Sequence, residues 1–383
     1  MRFGKLLIIA LLIIINTGRI NSQKIHVKPE NQVSTFTTFN FGDTLRYRFG
    51  GRYIPMLSII DTLKNSQRID LEASLNLNGN IFFKGNEFDK TEGEIKPYRL
   101  WLRYSSKRME IRAGLQKINF GSASIFRPLM WFDKMDYRDP LQLTDGVYGL
   151  LGRYYFQNNA NIWLWTLYGN DDPMGWDPVP SVKTIPEYGG RVQYPIPRGE
   201  IAFSYHHRKA DYSELYQSVP MPGNTEFTEN KIGLDGKWDL GVGLWFETVL
   251  KHNDPDNLLK NEWETYLNFG MDYTFQWGNG LNVITEYFRY DSRKDFSTVE
   301  IKNTYTALSL NYQFGLINTI TAAVYYNWEP GNWSEFVSLQ RKYDYWSFYL
   351  MAYSNPENYA LSTTGEVNLF AGKGIQFMAV VNF

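Results

Sequence analysis

Apolar and polar residues alternate with a period of two along most of this chain. In DLEASLNLN, Leu71, Ala73, Leu75 and Leu77 share one parity, and Asp70, Glu72, Ser74, Asn76 and Asn78 share the other. The same rhythm runs through PYRLWLRY (97–104), MEIRAGLQ (109–116), GVGLWFETVLK (241–251) and TYTALSLNYQF (304–314). Successive strand side chains point to opposite faces, so each segment predicts a strand with one apolar and one polar face. The segments run about 9 to 14 residues, longer than the usual five or six of globular sheets and long enough to cross a bilayer when tilted. Tyr and Trp stand near many of their ends (Tyr98, Tyr104, Tyr168, Tyr194, Tyr287, Trp328), as in the aromatic girdles of membrane barrels.

The connections alternate in length. Short turns fall at 105–108, 157–160, 196–200, 239–243, 277–280 and 314–318. Longer polar stretches fall at 85–96, 119–145, 169–186, 210–227, 253–261 and 291–298. Short turns on one side and long loops on the other match periplasmic turns and extracellular loops. The expected fold is all-β: a transmembrane antiparallel β-barrel of about 16–18 strands, with long extracellular loops and short periplasmic turns. The strand number is taken as even; hairpins are poorly marked in 34–60 and 334–372. A secreted sandwich or propeller would also alternate, but it would use shorter strands and bury its apolar face. In lipid, strands span only as a closed barrel.

Composition sharpens this. Tyr, Phe and Trp number 27, 25 and 12, together 17% of 383 residues, which suits surfaces that are apolar at one end and wet at the other. The absence of Cys removes disulfides, thiolate metal sites and Cys nucleophiles. A net charge of −1 without any basic block removes the case for nucleic acid. The start, MRFGKLLIIALLIIINTGRINSQ, places Arg2 and Lys5 before an apolar run from Leu6 to Ile15. That run is too short to span a membrane and reads as a secretory signal peptide over 1–23, leaving 24–383 as one barrel domain. Its removal would take away Arg2, Lys5 and Arg19 and bring the charge to −1 − 3 = −4.

The stretch GIQFMAVVNF (374–383) carries Ile375, Phe377, Ala379, Val381 and Phe383 on one parity, with Gln376 and Asn382 on the other. It resembles the C-terminal signal of Gram-negative outer-membrane barrels, and that resemblance implies that Phe377 and Phe383 are read by the barrel-assembly machinery. NSQ before Lys24 is similar to the signal-peptide ends of Bacteroidota. Gly114, Gln116, Ile118 and Gly121, within IRAGLQKINFGSASIFRPLMWFD, resemble a strand-to-long-loop segment of porin-like barrels. Together these imply a porin-like outer-membrane protein with outer-membrane lipid around it. Porin-like proteins are often trimers, which leaves a homo-oligomer open.

If the apolar parities face lipid, the other parities line a lumen. Pore-lining candidates are then Arg46, Arg48, Arg99, Arg103, Arg112, Arg153 and Arg191, with Asp70, Glu72 and Glu110. Either these arginines draw anionic or polar solutes, or they pair with inward carboxylates and simply build the wall. The long stretch 119–145 mixes Phe126, Met130 and Phe132 with constriction candidates Arg127, Trp131, Asp133, Lys134, Asp136 and Arg138. Loops this long are functional or disordered, and its apolar content favours a folded segment, either turned inward as a constriction or capping the outside. No metal or cofactor site is expected: His206 and His207 are neighbours on a strand and face opposite sides. The expected function is passive diffusion of small hydrophilic, in part anionic, solutes, without enzymatic activity. The alternatives are a lipid-modifying barrel using Ser204 and His206, and a plugged structural or adhesive barrel.

Overall fold

In a computed structural model, residues 25–42, 45–213, 225–254, 262–295, 297–356 and 370–383 are described. The expected signal segment lies outside them, as do parts of the stretches 210–227, 253–261 and 291–298.

Eighteen strands form one sheet. They are β1 (His26–Asn40), β2 (Arg46–Thr62), β3 (Arg68–Lys84), β4 (Glu87–Ser105), β5 (Met109–Gln116), β6 (Val147–Tyr155), β7 (Asn161–Leu167), β8 (Glu187–Ile196) and β9 (Gly199–Asp211), followed by β10 (Glu226–Asp239), β11 (Gly243–Asn253), β12 (Trp263–Phe275), β13 (Leu281–Arg293), β14 (Val299–Phe314), β15 (Asn318–Asn327), β16 (Asn332–Lys342), β17 (Trp346–Ser354) and β18 (Lys373–Asn382). Each pairs antiparallel with its chain neighbours, and β1 also pairs with β18, from Gln32 opposite Asn382 to Asn40 opposite Gly374. The sheet is therefore a closed antiparallel barrel with no edge. The expected architecture holds, with the strand number at the upper end of the range.

The parity read from the sequence sets inside and outside. On β18, Phe377 is 54% exposed while Gln376 is 3% exposed. Leu244 and Phe269 point outward, and Trp245, Glu247 and Asn268 are buried within. Every backbone group of a closed barrel is paired within the sheet, so an apolar exterior has the properties a spanning structure needs.

Every connection that follows an even-numbered strand is short, and β18 runs toward that same end. The long connections gather at the other end. One expected loop is different: 85–96 is mostly strand. β3 and β4 meet in a tight turn at Gly85 and Asn86, with Gly85 at φ 60. They pair from Lys84 opposite Glu87 downward, and Phe83 packs edge-on against Phe88. The stretch FDKTEGEIK hid its period because both of its faces are polar, as expected where a hairpin rises past the apolar band.

The main buried apolar cluster lies inside the barrel. Phe120, Phe126, Leu129, Trp131 and Phe132, from the segment between β5 and β6, pack with Trp165, Phe288, Tyr305 and Tyr325 of the wall. A lumen of this width is too large for wall side chains alone to fill, so the inserted segment supplies the difference.

Candidate functional site: the lumen and its inserted loops

The β5–β6 segment enters the lumen because two wall carboxylates hold its backbone. Glu286 on β13 accepts the N–H groups of Ser124 (2.6 Å), Ile125 (3.1 Å) and Phe126 (2.9 Å). It also accepts from Trp245 Nε1 (3.2 Å) and Asn268 Nδ2 (2.9 Å). Glu247 on β11 accepts from Ala123 (2.7 Å) and Leu129 (3.1 Å). Loop N–H groups that would otherwise be buried without partners are thereby satisfied. Around this anchor, Phe126 stacks on Phe288 at 5.1 Å between ring centres, and Trp176 stacks on the same ring at 4.9 Å. Gly121 sits at φ 101, where a Cβ would come within 2.4 Å of the Glu247 carboxylate.

Trp176 belongs to the second inserted loop, between β7 and β8. Next to it, Asp177 reaches a cluster of wall charges. It pairs with Lys231 of β10, Lys251 of β11 at 2.9 Å and Arg208 of β9 at 3.5 Å. Glu229 bonds the same three cations, and Lys251 also meets Glu264 at 3.1 Å. The six groups carry three charges of each sign and lie almost wholly out of water. Burial and the neighbouring Glu229 oppose ionisation of Asp177, but Lys231, Lys251 and Arg208 outweigh them and hold its carboxyl down to about 2. Such a cluster must be fully paired to be tolerated, and the loop carboxylate completes it.

The sequence-derived candidates divide by position. Near the short-turn end, Asp70 binds Arg68 and Arg103. Glu110 meets Arg112 at 2.9 Å and Arg153 at 3.4 Å. Arg112 and Arg153 also lie over Trp101 and Trp163, at 4.8 and 3.8 Å from the ring centres. Glu72 stands opposite Trp101 in register. Arg191 is held in a two-point bond by Asp235 at 2.6 and 2.8 Å. Arg99 donates to the Thr144 carbonyl at 2.8 Å and so ties β4 to the inserted loop. Within that loop Arg127 bonds Asn119 (2.5 Å) and lies 3.6 Å from Asp133, Arg138 pairs with Asp136, and Trp131 is buried. Burial pushes the Asp133 carboxyl above its ordinary range, against the pull of Arg127. Phe377 and Phe383 face outward.

Arg46, Arg48 and Lys134 differ: none is ion-paired among the described residues. Arg48 instead lies over Phe36, 4.8 Å from the ring centre. Beside it a cavity of about 510 Å³ opens inside the barrel. One side is β2 and β3, with Arg48, Arg52, Asn76, Asn78 and Asn80; the other is the inserted loop, with Lys134, Asp136, Asp139 and Asp145. Burial, joined by Asp136, pushes the Asp139 carboxyl up despite the Leu141 N–H it accepts. Counting Lys96, Glu92 and Glu94, the lining holds four cations and five carboxylates. Arg52, Asn80 and the two anchoring carboxylates were not among the candidates. Arg52 shares the parity of Arg46 and Arg48 and was legible in that way; the partners of Glu247 and Glu286 were not.

Ser204 and His206 share the inward face of β9 but do not bond each other. Ser204 accepts from Arg191 (3.0 Å), while His206 is bonded through both ring nitrogens, to Trp165 (3.2 Å) and Glu187 (3.1 Å).

No family model matches the chain, and no curated protein matches it in sequence. Solved structures match the fold. OccK5 (OpdH) of Pseudomonas aeruginosa superposes with a TM-score of 0.58 at 10% identity, over 93% of this chain and 97% of that one. OccAB4 of Acinetobacter baumannii gives 0.56 at 8% identity, over 95% and 99%. OmpT, an outer membrane protein of Vibrio cholerae solved in a trimer form, gives 0.54 at 10% identity, over 94% and 99%. At such identities the likeness is one of fold, over nearly the whole length: this chain has the architecture of these barrels.

Proposed function

We propose that the chain is an outer-membrane channel for passive diffusion of small hydrophilic solutes, with anionic ones favoured by Arg46, Arg48 and Arg52. The observation that carries this is the polar cavity of about 510 Å³ between wall arginines and loop carboxylates, inside a closed barrel whose exterior is apolar. The inserted loop is the constriction in this reading: its residues 134–145 form one side of the cavity and 121–129 anchor it to the far wall. A solute passes by exchanging water for the wall's hydrogen bonds. The signal-like start, surrounding lipid, assembly through Phe377 and Phe383, and a Bacteroidota-type source belong to the same reading. Association into homo-oligomers does too, supported by the trimer form of OmpT.

Single-channel recording in planar bilayers tests it. Discrete conductance steps are expected, with a reversal potential on the anion side in a salt gradient. That potential should move toward cations in Arg48→Ala. A silent bilayer holding folded protein would overturn the reading.

A further inference from the structure

Several neutral polar groups of the cavity wall have no hydrogen-bond partner among the described residues. The buried side-chain amide oxygens of Asn76 and Asn80 of β3 and Gln376 of β18 have no hydrogen-bond partner among the described residues. All three line the cavity, with Ser34 of β1. Buried amides are ordinarily satisfied by protein or water. Here they stand beside an open volume, on adjacent strands of one panel: β18, β1, β2 and β3.

The panel also presents rings. Phe36 lies across the backbone of Gly50, where a Cβ would fall 2.1 Å from its Cζ and 2.6 Å from Asn80 Oδ1. Phe36 and Asn80 are the cross-strand partners of Gly50 on either side. The missing side chain therefore lets a flat apolar face and a free amide sit next to each other. Phe82 is two residues beyond Asn80 on the same face, with Arg48 between the two rings.

This combination selects by chemistry. An amide offers one acceptor and two donors, so its best complement is a group that both donates and accepts. A carboxylate solute can only accept and would leave the Asn76, Asn80 and Gln376 oxygens unmatched. An ammonium can only donate. A hydroxyl does both, and a ring of C–H groups suits the face of Phe36. The lining charges, four positive and five negative, nearly cancel, so retention here does not require a charged solute. The volume of about 510 Å³ lies within the range of pockets that bury small organic ligands, roughly 300–1,000 Å³.

We propose that this panel is a binding site for a neutral polyhydroxylated solute of mono- or disaccharide size. The site rests on the channel reading for its access, but its test does not depend on conductance. The full chain, refolded in detergent, is titrated calorimetrically with glucose, with maltose, and with succinate as the carboxylate probe. Folding of every variant is checked by heat-modifiable gel mobility. The expected result is saturable binding of a sugar with succinate weaker or silent, and affinity about tenfold lower in Asn80→Leu, as expected for a few lost hydrogen bonds. Phe36→Ala, on a different strand, should weaken sugar binding as well and serves if Asn80→Leu fails to fold. Three results would overturn the proposal: no saturable sugar binding, sugar binding unchanged in both variants, or succinate binding more tightly than either sugar. A silent bilayer would overturn the channel but not this site, and conducting protein that ignores sugars would do the reverse.

Discussion

Arg208 and Arg48 are both inward-facing arginines, one on β9 and the other on β2, and their surroundings are opposite. Arg208 is bonded to Glu229, lies 3.5 Å from Asp177 and donates to the Val179 carbonyl at 3.1 Å. Arg48 has no ion pair among the described residues and faces a cavity. The difference extends to the walls that carry them. From β8 to β13 the inward charges are matched by one another and by the two inserted loops, so that side is filled. Along the cavity-facing part of β1 to β3, with β18, the loop stands off and the polar groups remain available. The same strand pattern thus serves two purposes, and what separates them is where the loops land. A filled wall fixes the loop that narrows the lumen, and the open wall is left for solute.

The largest effect should come from removing the inserted loop. Deletion of 124–140 is expected to raise single-channel conductance severalfold, because it removes the aromatic packing against Phe288 and one side of the cavity together. Unchanged conductance would show that the loop does not narrow the path. Glu286→Ala should come next. It strips partners from three backbone N–H groups and from Trp245 and Asn268, a loss of about 4 kcal/mol or more. A lower melting temperature in detergent and a noisier open channel are the expected readouts.

Asp177→Asn should cost about 3 kcal/mol, as for other broken buried ion clusters. Its pH dependence has a definite sign. The carboxyl is held down to about 2 against an ordinary 3.8, so its contribution is fully present above the ordinary value and fades as pH falls through about 2. The gap in melting temperature between wild type and Asp177→Asn should therefore be steady from pH 7 to pH 5 and close toward pH 2. A gap that stayed constant across that range would show that charge is not what the loop contributes. The smallest stability effect is expected on the open wall. Arg48→Ala should change stability by no more than about 1 kcal/mol, since it breaks no ion pair among the described residues, while its effect on ion selectivity should exceed that of Asp177→Asn.

The strands were legible because a wall between apolar and polar surroundings must alternate. Leu71, Ala73, Leu75 and Leu77 announce β3, and Phe377 opposite Gln376 announces which way β18 faces. That signal fades where both sides are wet, which is why residues 87–96 read as loop although they extend β4. The site was legible only as a set of inward positions. Arg191 and Arg48 look alike in sequence, but Asp235 lies 44 residues from Arg191, and no local pattern reveals that pairing. Likewise Asp177 meets Lys231 and Lys251 across 54 and 74 residues. Which arginine is paired and which is free depends on barrel closure and on loop insertion, both long-range outcomes.

The most direct test of the open and filled walls is the reversal potential of single channels in a salt gradient, compared across wild type, the double variant Arg48→Ala/Arg52→Ala, and Lys251→Met. All three should be shown to be folded first. An anion-side potential that moves toward cations in the double variant and stays in place in Lys251→Met is the expected result. A potential that moves with Lys251→Met and ignores the β2 arginines would place the conducting path on the other wall and contradict the account.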